Sequence, residues 1–228
     1  MTSTPSRTSN LGIWRLGTPL HVSRTTELAL AQPADAASSP RWDYVIKRPV
    51  SDGDVESLQQ VSRFAAAAAS VCHPNLIAVL DASSSATLPY VVMPRLEGFS
   101  MQWHLDQTSK PLPVALWLVR QTAQALDALH AAGWVHGDVK PENCMVGPRG
   151  HLTLVDLGFA TRTHTVAAGC YRGTPEFSAP ESLMENIAAM PPMDVFSLGR
   201  ILERWLKKTE PTGSRLLEPI NDLCAAMT

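Results

Sequence analysis

Three side chains set close together carry the chemistry that this sequence offers: Asp138, Lys140 and Asn143, at positions i, i+2 and i+5. They lie in His136-Gly137-Asp138-Val139-Lys140-Pro141-Glu142-Asn143-Cys144-Met145, after a helical pattern and before an apolar stretch. A carboxylate, an ammonium and an amide grouped in this way suit phosphoryl transfer. Asp138 can accept a hydroxyl proton, Lys140 can neutralise charge on a moving phosphoryl group, and Asn143 can hold a magnesium ion. Alone, an aspartate after a helix reads as a cap or turn residue. A second acid strengthens the chemical reading: Asp156 follows the apolar Leu154-Val155 and precedes Gly158.

The elements that must position these groups are legible from periodicity and breakers. Positions 11–32 read as two short strands, with Leu16, Leu20, Leu28 and Leu30 as apolar points, and 32–40 as a Pro/Ala/Ser loop. A strand is expected over 41–48, and a helix over 52–71, started by Ser51 with Asp54 three residues on. Strands are expected near 76–81 and 89–93. A helix is expected over 113–132, from Ala115, Leu118, Val119, Thr122, Leu126 and Leu129, closed by Gly133. A late helix covers 216–227. The first part is β-rich and the second α-rich, an α+β chain.

Composition excludes several classes. With 228 residues, 45% hydrophobic and 18% charged, the chain has an ordinary globular make-up. A net charge of −2 gives no basic field for nucleic acid or an anionic membrane. The four cysteines, Cys72, Cys144, Cys170 and Cys224, show no metal spacing and read as reduced thiols. The Ser/Thr-rich start is not a signal peptide, and the apolar run 64–69 is too short to span a bilayer. A cytoplasmic location is expected.

The segment 136–145 resembles the catalytic loop H-R-D-x-K-x-x-N of eukaryotic-type protein kinases. Other segments match that family in order. Asp156-Leu157-Gly158 resembles D-F-G, and Gly173-Thr174-Pro175-Glu176-Phe177-Ser178-Ala179-Pro180-Glu181 resembles the segment ending A-P-E. Asp194-Val195-Phe196-Ser197-Leu198-Gly199 resembles D-V-W-S-L-G, Tyr44-Val45-Ile46-Lys47 the lysine-bearing strand, and His73-Pro74-Asn75-Leu76-Ile77 the H-P-N-I motif. The resemblance implies a two-lobed fold: an N-terminal tail 1–10, an N-lobe 11–93, a hinge 94–98 and a C-lobe 99–228, which is shorter than the family's usual lobe. It implies ATP and Mg²⁺, with Asp156 and Asn143 as metal ligands and Lys47 on the phosphates. Met93 would be the gatekeeper, with the Pro94 carbonyl and Leu96 amide facing adenine. Asp138 and Lys140 would be catalytic, Thr174 would bond both, and Asp194 would bond the catalytic-loop backbone. His136 reads as a core histidine.

Several family residues are absent. The three glycine positions of the phosphate-covering loop fall on His21, Ser23 and Thr26 in the stretch 20–28. The helix glutamate that pairs with the strand lysine falls on Phe64; Glu56 is about two turns too early, and Asp52, Asp54 or Glu56 would serve only from a shifted helix. Gly137 replaces the arginine that reads a phosphorylated loop, so Thr161, Thr163 and Thr165 read as a solvated loop unless Arg162 or Arg172 receives the phosphate. No arginine follows Arg215, so Glu181 lacks its usual partner. Three functions remain open: a Ser/Thr protein kinase with a protein substrate, a pseudokinase that binds partners with little turnover, and a small-molecule phosphotransferase, whose H-G-D the stretch His136-Gly137-Asp138 also resembles.

Overall fold

A computed structural model of the chain describes residues 10–36, 39–51, 53–83, 88–107, 111–166, 173–209 and 217–228. Asp52, Cys170, Arg172, Arg215 and most of the tail 1–10 lie outside the described residues. The chain forms two compact units, residues 1–65 with 78–95, and residues 66–77 with 96–228. The division between Arg95 and Leu96 falls inside the stretch 94–98.

The first unit is built on a six-stranded sheet. Its strands are β1 (Asn10–Leu11), β2 (Trp14–Val22), β3 (Thr26–Pro33), β4 (Tyr44–Pro49), β5 (Asp81–Ser83) and β6 (Tyr90–Pro94), in the order β1-β2-β3-β4-β6-β5. Alternation along the strands sends Trp14, Leu16, Ala29, Ala31, Ile46 and Val92 into one core. The Trp14 indole enters that core because its N–H donates to Asp81 Oδ2 at 2.6 Å. Lys47, next to Ile46, points to the other face. The pairs Val45–Met93 and Lys47–Val91 place Met93 on that same face.

Helix α1 (Val55–Ala68) starts three residues later than the reading from Ser51 implies. Asp54 is the cap: its carboxylate accepts the Glu56 N–H at 3.3 Å and the Ser57 hydroxyl. The Ser57 hydroxyl bond leads the effects that hold the Asp54 carboxyl below its ordinary range. The strand expected over 76–81 is corrected as well. Leu76 makes only an isolated bridge to Leu154, and pairing with β6 begins at Asp81. Leu76 and Ile77 are buried apolar residues, but they are used in the second unit.

The second unit is mainly helical. It holds β7 (Phe99–Ser100), α2 (Met101–Asp106), α3 (Leu112–Ala131), β8 (Trp134–Val135), β9 (Cys144–Val146), β10 (Leu152–Leu154), β11 (Thr161–Arg162), α4 (Pro191–Leu206) and α5 (Leu217–Met227). Helix α3 buries Ala115, Leu118, Val119, Thr122, Leu126 and Leu129, the periodic positions. It ends where Gly133, at φ +79°, donates its N–H to the His130 carbonyl. Helix α4 buries Leu198, Ile201, Leu202 and Trp205. Small sheets β10-β9-β7 and β11-β8 hold the loops between these helices. No helix among the described residues is long and apolar enough to cross a membrane.

Candidate active site

The stretch after β8 leaves regular structure at Gly137, which has φ +77°. A Cβ there would meet the Phe159 carbonyl oxygen at 3.0 Å. Glycine therefore has a local reason at this position: left-handed backbone and close approach. In sequence, Gly137 reads only as a lost arginine.

Asp194, in the first turn of α4 and 1% exposed, fixes this bend. Its Oδ2 accepts the His136 N–H at 2.7 Å and its Oδ1 the Gly137 N–H at 2.9 Å, the backbone role expected of it. His130 Nε2, from α3, lies 2.8 Å from the same Oδ2, a partner that the sequence reading missed. Three contacts compensate the burial of this carboxylate. The His136 ring is fully buried; its Nδ1 accepts the Asp138 N–H at 3.2 Å, so Nε2 carries the proton and donates to the Val155 carbonyl at 3.1 Å. His136 is structural, holding Asp138 from one side.

Asp138 is thereby presented at 5% exposure within a closed ring of polar bonds. Thr174 Oγ1 donates to Asp138 Oδ1 at 2.8 Å. Lys140 Nζ donates to Asp138 Oδ2 at 2.8 Å and to Thr174 Oγ1 at 2.8 Å. Asn143 Nδ2 donates to the Asp138 carbonyl at 2.8 Å and to Oδ2 at 3.0 Å. With its amide nitrogen committed, Asn143 keeps Oδ1 as an acceptor. The Val155 N–H bonds the Asn143 carbonyl at 2.8 Å and brings the start of the Asp156 segment beside it. Asp156 has φ 65° and accepts the Gly158 N–H at 3.2 Å. A carboxylate and an amide oxygen are the hard donors that magnesium takes, so this pair fits the ion.

The Thr174 segment is anchored in two ways. Ser178 Oγ donates to the Thr174 carbonyl at 2.9 Å, and Glu176 pairs with Arg204 of α4 at 2.8 Å. Arg204 also lies 5.6 Å from the Phe177 ring. Among the described residues Glu181 makes no ion pair, so the tie to α4 comes from Glu176 instead. Arg162 stacks 4.3 Å over Trp134 and donates to the Ala132 carbonyl at 3.3 Å. It is committed there and is not poised beside Gly137 to receive a phosphate. Cys144 is fully buried, and burial pushes its thiol up to about 12.

Most of the remaining candidates belong to the first unit. Lys47 is 3% exposed in β4, with its ammonium 5.5 Å from the Phe64 ring centre. Phe64 thus occupies the position facing the lysine, where the family has glutamate. Met93 is buried in β6, Pro94 ends that strand opposite Tyr44, and Leu96 opens the second unit. His21, Ser23 and Thr26 fall around a tight β2–β3 hairpin that turns at 23–25. Asn75 of His73-Pro74-Asn75 bonds Gln121 of α3 at 3.0 Å and the Leu152 carbonyl at 2.7 Å, a structural role in the second unit.

The protein kinase domain model matches residues 42–222. The serine/threonine-protein kinase PknA of Mycobacterium tuberculosis is 33% identical over 155 residues, covering 64% of this chain and 36% of that protein. A probable serine/threonine-protein kinase, pknA2 of Bifidobacterium longum, is 31% identical over 146 residues, covering 62% of this chain and 19% of that protein. PknD of Chlamydia trachomatis, also a serine/threonine-protein kinase, is 27% identical over 214 residues, covering 78% of this chain and 23% of that protein. The chain therefore spans between a fifth and somewhat over a third of the length of these relatives. Motif order, an α+β fold of the expected kind and the extent of the matched domain agree: this chain belongs to the protein kinase family.

Proposed function

We propose that the chain is a serine/threonine protein kinase, moving the γ-phosphoryl group of ATP to a protein hydroxyl. The observation that carries this reading is the closed ring of Asp138, Thr174, Lys140 and Asn143. A carboxylate offers about four lone-pair sites. Thr174 takes one on Oδ1, while Lys140 and Asn143 take those on Oδ2. The acceptor left on Oδ1 suits an incoming serine or threonine hydroxyl. The hydroxyl oxygen attacks the γ-phosphorus as the bond to the β–γ bridging oxygen breaks and ADP leaves, and Asp138 takes the hydroxyl proton.

Lys140 has three donors, two of them used on Asp138 and Thr174; the third suits a phosphoryl oxygen whose charge spreads in the transition state. Asn143 Oδ1 and Asp156 would hold magnesium, which when bound neutralises phosphate charge. Lys47 and Met93 of the first unit are assigned to the nucleotide, and the Pro94 carbonyl and the Leu96 amide, on either side of the division between the units, to adenine. Lys140 and the Thr174 segment favour a protein acceptor over a small-molecule one.

A second reading, a pseudokinase that binds partners, is favoured by Phe64 facing Lys47 and by the lack of glycine in the stretch 20–28. Labelled ATP and a generic serine/threonine protein substrate separate the two. The kinase reading requires transfer by wild type well above Asp138→Asn. Equal silence of both, with unchanged thermal stability, supports the pseudokinase.

A further inference from the structure

The β2–β3 hairpin holds its own amides. Ser23 Oγ accepts the Thr25 N–H at 3.2 Å and the Thr26 N–H at 2.9 Å, and the Ser23 N–H bonds the Thr26 carbonyl at 2.9 Å. A turn that bonds itself in this way has few N–H groups left for a phosphate. Its tip is fastened instead to α1, within the same unit. Thr25 Oγ1 donates to Gln60 Oε1 at 2.7 Å, and the exposed Arg24 pairs with Glu56 at 3.4 Å. The Val50 N–H closes the other side on the Thr25 carbonyl at 3.0 Å.

Gln60 is 5% exposed and lies one helical turn before Phe64, on the same buried face as Val61 and Phe64. Phe64 is the residue whose ring faces the Lys47 ammonium. We propose that Thr25 and Gln60 are positioning residues: the hairpin tip latches α1 to the sheet and so sets Phe64 against Lys47. The side chain of Gln60 is well suited to the task. A buried amide oxygen left without a donor is costly, so the contact resists opening. The exposed Arg24–Glu56 pair adds little.

This inference goes beyond the kinase reading, because its test needs neither nucleotide nor turnover. Amide exchange is measured on the full chain for wild type, Thr25→Val, Gln60→Leu and Arg24→Ala, with α3 as internal reference. The latch predicts that exchange in 23–26 and in α1 rises about fivefold in the first two variants. It also predicts little change in α3, and less than about twofold change anywhere for Arg24→Ala. Reductive methylation of Lys47 should speed up in the same two variants as Phe64 loosens. Unchanged α1 exchange, or an equal rise in α3, overturns the latch. Unchanged Lys47 labelling alongside faster α1 exchange overturns the link from latch to lysine.

Discussion

The loop around Asp138 and the β2–β3 hairpin with α1 differ in how far they follow the pattern that the resemblance implies. Around Asp138 the side chains of the family motif are present, and they close on one another at 2.8–3.0 Å. Around Lys47 the side chains differ from those that the resemblance implies: His21, Ser23 and Thr26 at the glycine positions, and Phe64 at the position of the glutamate. A proton acceptor or metal ligand has few chemical substitutes. The placement of a helix can be reached through many contacts, and here Thr25 and Gln60 supply one. On the proposed function, the difference assigns the chemistry to side-chain atoms around Asp138 and the support of Lys47 to the placement of the elements around it.

The largest effect is expected at Asp156, the proposed metal ligand. Asp156→Asn should cut phosphoryl transfer by about a thousandfold or more, about 4 kcal/mol of barrier, with the melting temperature nearly unchanged. Retention of most of the rate would remove Asp156 from the site. Thr174→Val deprives Asp138 and Lys140 of one bond each, and should slow transfer by roughly 10- to 100-fold. A rate within twofold of wild type would mean that the ring is ornamental.

The bend at Gly137 gives a smaller effect, read in stability. Gly137→Ala forces a side chain into left-handed backbone beside the Phe159 carbonyl, at a cost of about 1–2 kcal/mol in a denaturant titration. No change would show that the loop relaxes freely. Smallest of all, replacing Thr161, Thr163 and Thr165 together with alanine should alter the rate by less than about tenfold, ~1.4 kcal/mol. Gly137 offers no charge to receive a phosphate, and Arg162 is stacked on Trp134. A larger loss would require another basic reader.

The legibility of the sequence follows the same divide. Asp138, Lys140 and Asn143 sit within one short loop, where spacing alone brings their groups together. Thr174 is 36 positions from Asp138, and only resemblance suggested that it would bond there. The resemblance places Phe64 at the glutamate position, but its contact with Lys47 depends on the sheet face, which motif spacing does not supply. The Thr25–Gln60 bond joins residues 35 apart, through a hairpin register that includes irregular steps near Pro19, and no local pattern encodes it. Leu76 and Ile77 misled for a related reason. Two buried apolar residues fit a strand, but tertiary context used them as a bridge to Leu154 and a bond to its carbonyl. Gly137 was read as a missing charge because backbone angles are invisible in sequence; the same holds for the late start of α1 at Asp54.

One measurement addresses the divide directly: the split between kcat and KM for Mg-ATP in wild type, Asp138→Asn and Thr25→Val. Wild type should turn over with weak nucleotide affinity, no tighter than about 1 μM or −8 kcal/mol, because the hairpin keeps its amides to itself. Asp138→Asn should lose kcat with nucleotide affinity nearly unchanged, and Thr25→Val should shift KM while leaving most of kcat. Full turnover in Asp138→Asn, or a loss of nucleotide affinity there with kcat preserved, would contradict the assignment of the chemistry to the ring.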